Sequence, residues 1–179
     1  MCLLEGKDVN LGVVEKEDLP LIADWNSNPE FLGEYIWLPQ QTKTEWEKRY
    51  DNSSSDNQCF LIEKKDGTKV GFIAHFPVAE KLGIEIGYVI VPSERGKGYC
   101  TEAVKIIVDY LFLSKDITRI QAHTDVKNVG SQKVLEKAGF SKEGTLRKST
   151  FIRGRWRDNS VSSILREEWK EPKILKKST

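Results

Sequence analysis

The stretch Arg95-Gly96-Lys97-Gly98-Tyr99-Cys100-Thr101 places two glycines and two cations between an apolar run and an amphipathic segment. Glycine lets backbone amides come close to a ligand. The first turn of a following helix leaves N–H groups without intrahelical partners, and the helix dipole favours negative charge there. Strand, glycine turn and helix in that order make an anion site suited to a phosphate, to which Arg95 or Lys97 can add charge. Two familiar phosphate loops are excluded by spacing. A Walker A loop needs G-x-x-x-x-G-K-[S/T], which does not occur, and the dinucleotide fingerprint needs a third glycine where Thr101 stands.

The elements that must position this turn can be read from periodicity. Residues 9–14 read as a strand and 15–26 as a helix with Leu19, Ile22 and Ala23 on its apolar side, stopped ahead of Pro29. Residues 31–39 are irregular and aromatic, 42–50 a short helix and 51–57 a polar loop. Strands at 59–63 and 70–76 are joined by the Asp66-Gly67 turn, and a strand at 84–91 leads into the glycine turn. A helix over 101–113 puts Val104, Ile107, Val108 and Leu111 on one face. A strand at 118–123 and a helix at 129–138, capped by Asn128 and stopped at Gly139, precede two closing strands at 145–152 and 156–165. Mixed α/β architecture with helices on the faces of a sheet follows.

Composition narrows the function classes. A chain of 179 residues is long enough for one domain with a substantial core. With no repeat or linker, residues 1–170 are expected to form that domain, and the lysine-rich 171–179 a loose tail. A net charge of +1 argues against a nucleic-acid binder working through a strongly basic field. The three cysteines (Cys2, Cys59, Cys100) contain no C-x-x-C pair, and with only two histidines no metal site is expected. No secretory signal and no run of roughly 20 apolar residues is present, so a cytoplasmic protein without a membrane partner is expected.

The order of the motifs carries more than any one of them. Arg95 to Cys100 resembles the R/Q-x-x-G-x-G/A loop of the GNAT N-acetyltransferases, with Cys100 where glycine or alanine usually stands. Further along, Asn128-Val129-Gly130-Ser131-Gln132-Lys133-Val134-Leu135-Glu136-Lys137-Ala138-Gly139-Phe140 resembles that family's second signature, N-x-x-S-x-x-x-L-E-K-x-G-F. Glu143-Gly144-Thr145-Leu146-Arg147, Gly154-Arg155-Trp156-Arg157-Asp158 and Leu165-Arg166-Glu167-Glu168-Trp169 are similar to the closing strands of the branch containing the ribosomal-protein N-acetyltransferases. Glu17-Asp18-Leu19-Pro20 and Asp24-Trp25-Asn26 fit its first helix.

The resemblance implies a GNAT acyltransferase fold, with a mixed, mostly antiparallel seven-stranded sheet flanked by about four helices. It implies an enzyme that moves the acetyl group of acetyl-CoA to a primary amine by direct attack in a ternary complex. Backbone N–H groups from Gly96 through Lys97, Gly98, Tyr99 and Cys100 to Thr101 would hold the pyrophosphate. Arg95, Lys97 and Lys133 are candidates for phosphate contacts. The pantetheine arm would lie where the strand carrying Glu85 splays from the strand near Gln121, against the backbone of Val89, Ile90 and Val91, with Asn128 nearby. Cys100, at a helix start, could be acidified and reactive; it is read instead as a small side chain tolerated in the turn.

An aliphatic amine with a pKa near ~10 must lose a proton before it attacks, and the departing thiolate gains from a nearby donor. Glu85 is the expected base, directly or through water. The tyrosine that many family members use as acid is replaced by Leu135. Asn128 and Ser131, three apart on a helix, face one side, so Ser131 is expected to contact the sulfur. His75 and His123 are read as structural or pocket-lining. Glu30, Phe31, Glu34, Tyr35, Ile36 and Trp37 are expected to wall the acceptor site, their rings and carboxylates suiting a cationic amine. A protein N-terminus and a small-molecule amine both remain open, as does a homodimer, which is frequent in the family. The rival reading is a non-catalytic GNAT-fold module that binds acyl-CoA as a sensor or scaffold.

Overall fold

The computed structural model describes residues 3–39, 41–52, 54–78 and 83–175. Along the chain come β1 (Leu3–Glu5), β2 (Val9–Val13), α1 (Leu19–Ser27), α2 (Pro29–Leu32), α3 (Lys43–Asp51), β3 (Gln58–Lys64), β4 (Lys69–Pro77) and β5 (Ile84–Ile90). There follow α4 (Tyr99–Ser114), β6 (Arg119–Asp125), α5 (Val129–Lys137), β7 (Ser141–Ile152) and β8 (Arg155–Leu165). The strands form one sheet in the order β1-β2-β3-β4-β5-β6-β8-β7.

Among the described residues, eight strands and five α-helices stand where seven strands and about four helices were expected. The extra strand, β1, is three residues long and pairs Leu3 to Glu5 with Gly12 to Asn10, too short to show a period. The extra helix is the single turn α2. Pro29 ends α1 and also opens α2, because its fixed φ suits a first helical position and its missing N–H loses nothing there. Asn28 caps that turn, its Oδ1 accepting from the N–H groups of Glu30 and Phe31.

The apolar face of α4 buries Ala103, Val104, Ile107 and Leu111 in the main core, with Val9, Leu11, Ile62, Ile73 and Ile120 from the sheet. A second, smaller core joins Leu19 and Ile22 of α1 to Leu61 of β3. The two cores thus sit on opposite faces of β3, because neighbouring strand residues point to opposite sides.

Two features matter for the site. First, β5 pairs antiparallel with β4 from Gly71↔Ile90 to Pro77↔Ile84, but parallel with β6 only at Ile84↔Ile120 and Glu85↔Gln121. Beyond Glu85 the two strands part, leaving one edge of β5 open in mid-sheet. Second, β6 continues antiparallel to β8 from Arg119↔Leu165 to Asp125↔Asn159, so its far side is closed. Among the described residues, no helix is long and apolar enough to cross a membrane.

The C-terminal segment departs from expectation. Asp109 on α4 is fully buried, and its carboxylate accepts from Trp169 Nε1 at 2.8 Å and from the N–H groups of Lys173, Ile174 and Leu175 at 2.8, 2.7 and 3.0 Å. Ile174 and Leu175 pack against the main core. Residues expected to be loose are therefore tied down as far as Leu175, while 176–179 lie outside the described residues. An Asp109→Ala variant leaves those donors without an acceptor and is expected to lose about 2–3 kcal/mol, lowering Tm by roughly 4–10 °C. Amide exchange at 173–175 should accelerate with it. Unchanged Tm and unchanged exchange would show that the carboxylate does not hold the segment.

Candidate active site

Gly98 is the N-cap of α4 at φ 90, with no side chain capping the helix. Gly96 also lies in the left-handed region, at φ 78, where any side chain is strained. Glu102 is the first residue of α4 whose N–H finds a helical carbonyl, that of Gly98 at 3.1 Å. The N–H groups of Tyr99, Cys100 and Thr101 precede it and are left for an anion. This geometry fits the pyrophosphate of a coenzyme A.

The side chains around the turn are not all placed as expected. Arg95 faces away: its Nε donates to Ile90 O at 3.0 Å, its Nη2 to Phe31 O at 2.6 Å, and its own N–H to Pro92 O at 3.3 Å. It braces the turn against α2 instead of presenting charge to a phosphate. Lys97 lies on the surface, bound to Glu94 Oε2 at 2.9 Å, and Lys133 is exposed on α5. Burial pushes the Cys100 thiol up to about 12, which removes the acidified-nucleophile reading.

Of the three backbone positions expected along the pantetheine path, Val89 lines the cavity. Val91 donates its N–H to Val70 O at 2.8 Å, and its carbonyl accepts from Glu94 N–H at 3.0 Å; Ile90 O takes the Arg95 bond. Those groups are already committed within the protein. The open edge is the portion of β5 nearer Glu85.

Three hydroxyls from three elements meet in the gap. Ser131 Oγ on α5 is 2.9 Å from Tyr88 Oη on β5 and 3.3 Å from Thr124 Oγ1 on β6. Tyr88 Oη also lies 3.2 Å from Ser131 O. Burial raises the Tyr88 phenol well above its ordinary pKa, so it is a hydrogen-bond donor at neutral pH. Asn128 is spent on the helix, its Oδ1 accepting the Ser131 N–H at 3.1 Å. It aims Ser131 by fixing the first turn of α5. Tyr88 and Thr124 escaped the sequence reading, because each shares strand parity with core residues (Ile86 and Ile90, Ile120 and Ala122) and looks like one more buried position.

On the other face of β5 stands Glu85, at the last paired position. Its Oε1 is 2.9 Å from His123 Nδ1, and its Oε2 accepts from Gln121 Nε2 at 3.2 Å. The bond to Glu85 holds the His123 pKa above its ordinary value, partly offset by burial. His123 is thus the carboxylate's partner at the cavity. His75 matches the structural reading: it is fully buried beside Phe60 and Tyr110. The Asp56 backbone approaches it, but neither ring nitrogen is in hydrogen-bonding geometry, and burial depresses its pKa to about 4.

One cavity of about 950 Å³ joins these groups to α1, α3 and the β7–β8 hairpin. Tyr35, Ile36 and Trp37 line it as expected, but Phe31 does not: it is 2% exposed and stacked on Trp25 with centroids 4.9 Å apart. Glu30 and Glu34 are not among the lining residues; Glu34 lies beside the Tyr35 hydroxyl and 4.0 Å from Arg157. Among the described residues, no group of three His, Cys, Asp or Glu side chains is placed to hold a metal ion.

A sheet opened beside a glycine-capped helix, with a carboxylate and hydroxyls in the opening, defines an acyl-transferring class of enzyme. Residues 9–141 match the family model described as acetyltransferase (GNAT) domain. Over 136 residues, 74% of this chain and 75% of the other, the sequence is 47% identical to a probable N-acetyltransferase, YjcK, of Bacillus subtilis. A spermidine N-acetyltransferase from Vibrio cholerae, solved in complex with CoA and spermine, shares the fold at a TM-score of 0.83 and 24% identity, covering 92% of this chain and 99% of that one. RimL, a ribosomal-protein α-N-acetyltransferase solved with coenzyme A, does so at 0.82 and 17%, covering 92% and 98%. The chain belongs to the GNAT family and is an N-acetyltransferase.

With only two histidines in the chain, the pairing is open to direct test. An NMR titration should show one imidazole with a midpoint above the ordinary 6.5, His123, and one near about 4, His75. Glu85→Gln should move the upper midpoint down and leave the lower in place. An upper midpoint that ignores this substitution would rule the pairing out.

Proposed function

We propose that the protein transfers the acetyl group of acetyl-CoA directly to a primary amine in a ternary complex. The observation that carries this reading is the interrupted β5–β6 pairing, with Glu85 at its last rung and the Ser131 hydroxyl cluster just beyond. The uncapped start of α4 supports acetyl-CoA as the cosubstrate, and two proteins of like fold were solved with coenzyme A. Their named acceptors, a polyamine and a ribosomal protein, leave the acceptor open within the class of primary amines.

Each residue then has a definite task. Glu85, steadied by His123 and Gln121, accepts the proton of the incoming ammonium, directly or through water. The freed nitrogen lone pair attacks the thioester carbonyl to form the N–C bond. As the C–S bond breaks the sulfur leaves with the bonding pair, and the second proton shed by the nitrogen neutralises that thiolate, giving amide and CoA thiol. Ser131 donates its O–H to that sulfur. Tyr88 carries one proton; given to Ser131 Oγ, it leaves the serine's own proton free to point into the gap. Thr124 closes the cluster from β6.

Once an accepted amine is in hand, Ser131→Ala should lower kcat roughly tenfold or more, with little change in KM for acetyl-CoA. Tyr88→Phe should lower kcat less, and the double variant should be no slower than Ser131→Ala alone, since the two hydroxyls act as one unit. Full turnover by Ser131→Ala would remove Ser131 from the reaction. Full turnover by Tyr88→Phe beside a slow Ser131→Ala would remove only Tyr88. Binding of acetyl-CoA with no thiol release from any amine would instead leave the acyl-CoA-binding module.

A further inference from the structure

We infer that the acceptor half of the cavity is built for a monoamine with an apolar or aromatic body and discriminates against polyamines. The inference rests on the transferase reading above and concerns the charge of the lining. Among the described residues that line the cavity, the carboxylates are Glu85 and Asp125. Glu85 is bound to His123 and Gln121. Asp125 is buried, its Oδ2 2.9 Å from Arg157 Nη1 and its Oδ1 accepting from Lys127 N–H at 2.8 Å. At the mouth, Glu34 reaches the same Arg157, whose guanidinium lies 5.4 Å over the Tyr35 ring. Among the described residues of the lining the arginine is Arg49, whose guanidinium lies 5.5 Å over the Trp46 ring.

A single ammonium can be received here. It meets Glu85 at the reacting end and aromatic faces along the way. A second or third ammonium, as in a polyamine, needs its own carboxylate to replace the water it gives up. Among the described residues, the lining offers none that does not already have a partner, and it adds Arg49. What it does offer is apolar: Ile36, Trp37, Trp46, Tyr50, Leu146 and Ile152. Trp37 is 62% exposed and Leu146 47%, so apolar surface stands ready to be covered by a substrate. Fold likeness does not override this, since acceptor choice lies in the lining and not in the scaffold.

The test is a coupled thiol-release assay with acetyl-CoA against phenethylamine, spermidine, and two matched peptides, one beginning with phenylalanine and one with aspartate. The expected result is a kcat/KM for phenethylamine or the phenylalanine peptide at least about tenfold above that for spermidine. Which of those two arms leads identifies a free amine or a chain N-terminus as the source. Arg49→Glu should raise spermidine relative to phenethylamine by about tenfold. Spermidine equal to or ahead of the apolar amines in the unsubstituted enzyme overturns the inference. That comparison decides even if Arg49→Glu fails to fold; a folded Arg49→Glu with an unmoved ratio overturns it too. If acetyl-CoA binds and no amine releases thiol, the transferase reading itself fails, and this inference falls with it.

Discussion

Everything functional in this protein depends on where β5 and β6 stop pairing. Two rungs hold the strands together, and past Glu85↔Gln121 they separate. A strand edge exposed in mid-sheet would ordinarily be a liability, since its N–H and C=O groups want partners. Here the edge faces a cavity that can admit an extended ligand arm. The opening also breaks the division between the two faces of the sheet. Glu85, which points one way, and Tyr88, which points the other, both reach the same gap.

The surroundings of that gap are organised by buried polar groups with assigned partners. Asp125 is matched by Arg157, Asp18 by Lys69, and Asp109 by Trp169 and three backbone N–H groups. A buried charge is tolerated when its hydrogen bonds are complete, and each of these ties two distant segments together. Arg95 works in the same way: it links the end of β5 to α2 through carbonyl oxygens, so the glycine turn and α2 share one brace. His75 is one exception, with both ring nitrogens unpartnered. A neutral imidazole fits its site by shape, and burial keeps it uncharged.

The division of labour within the motif residues follows from the same accounting of hydrogen bonds. Asn128 has an oxygen to offer, and the helix start takes it. That leaves Ser131 free at its hydroxyl, which Tyr88 and Thr124 then orient. A weak donor held in one orientation can serve a developing thiolate where a mobile one cannot. No single segment contains the cluster: it needs β5, β6 and α5 at once.

Local signals were enough for much of this molecule. The Asn128 cap, the Gly139 stop, the Asp66-Gly67 turn and the glycine turn ahead of α4 are short-range patterns, and each appears where its chemistry demands. The order of those signals sufficed to indicate the family and the strand carrying Glu85. Short elements such as β1 and α2 were not legible, because three or four residues cannot display a period. Partner choice was not legible either. That Glu85 would find His123, that Arg95 would reach the Phe31 carbonyl, and that Asp109 would hold Lys173 to Leu175 are contacts between residues far apart in the chain. The sequence by itself determined which residue types stood at which helix starts and turns, since those are decided within a few bonds. Only the tertiary structure decided which of them faced the ligand, because that depends on which distant donor or acceptor reaches each group first.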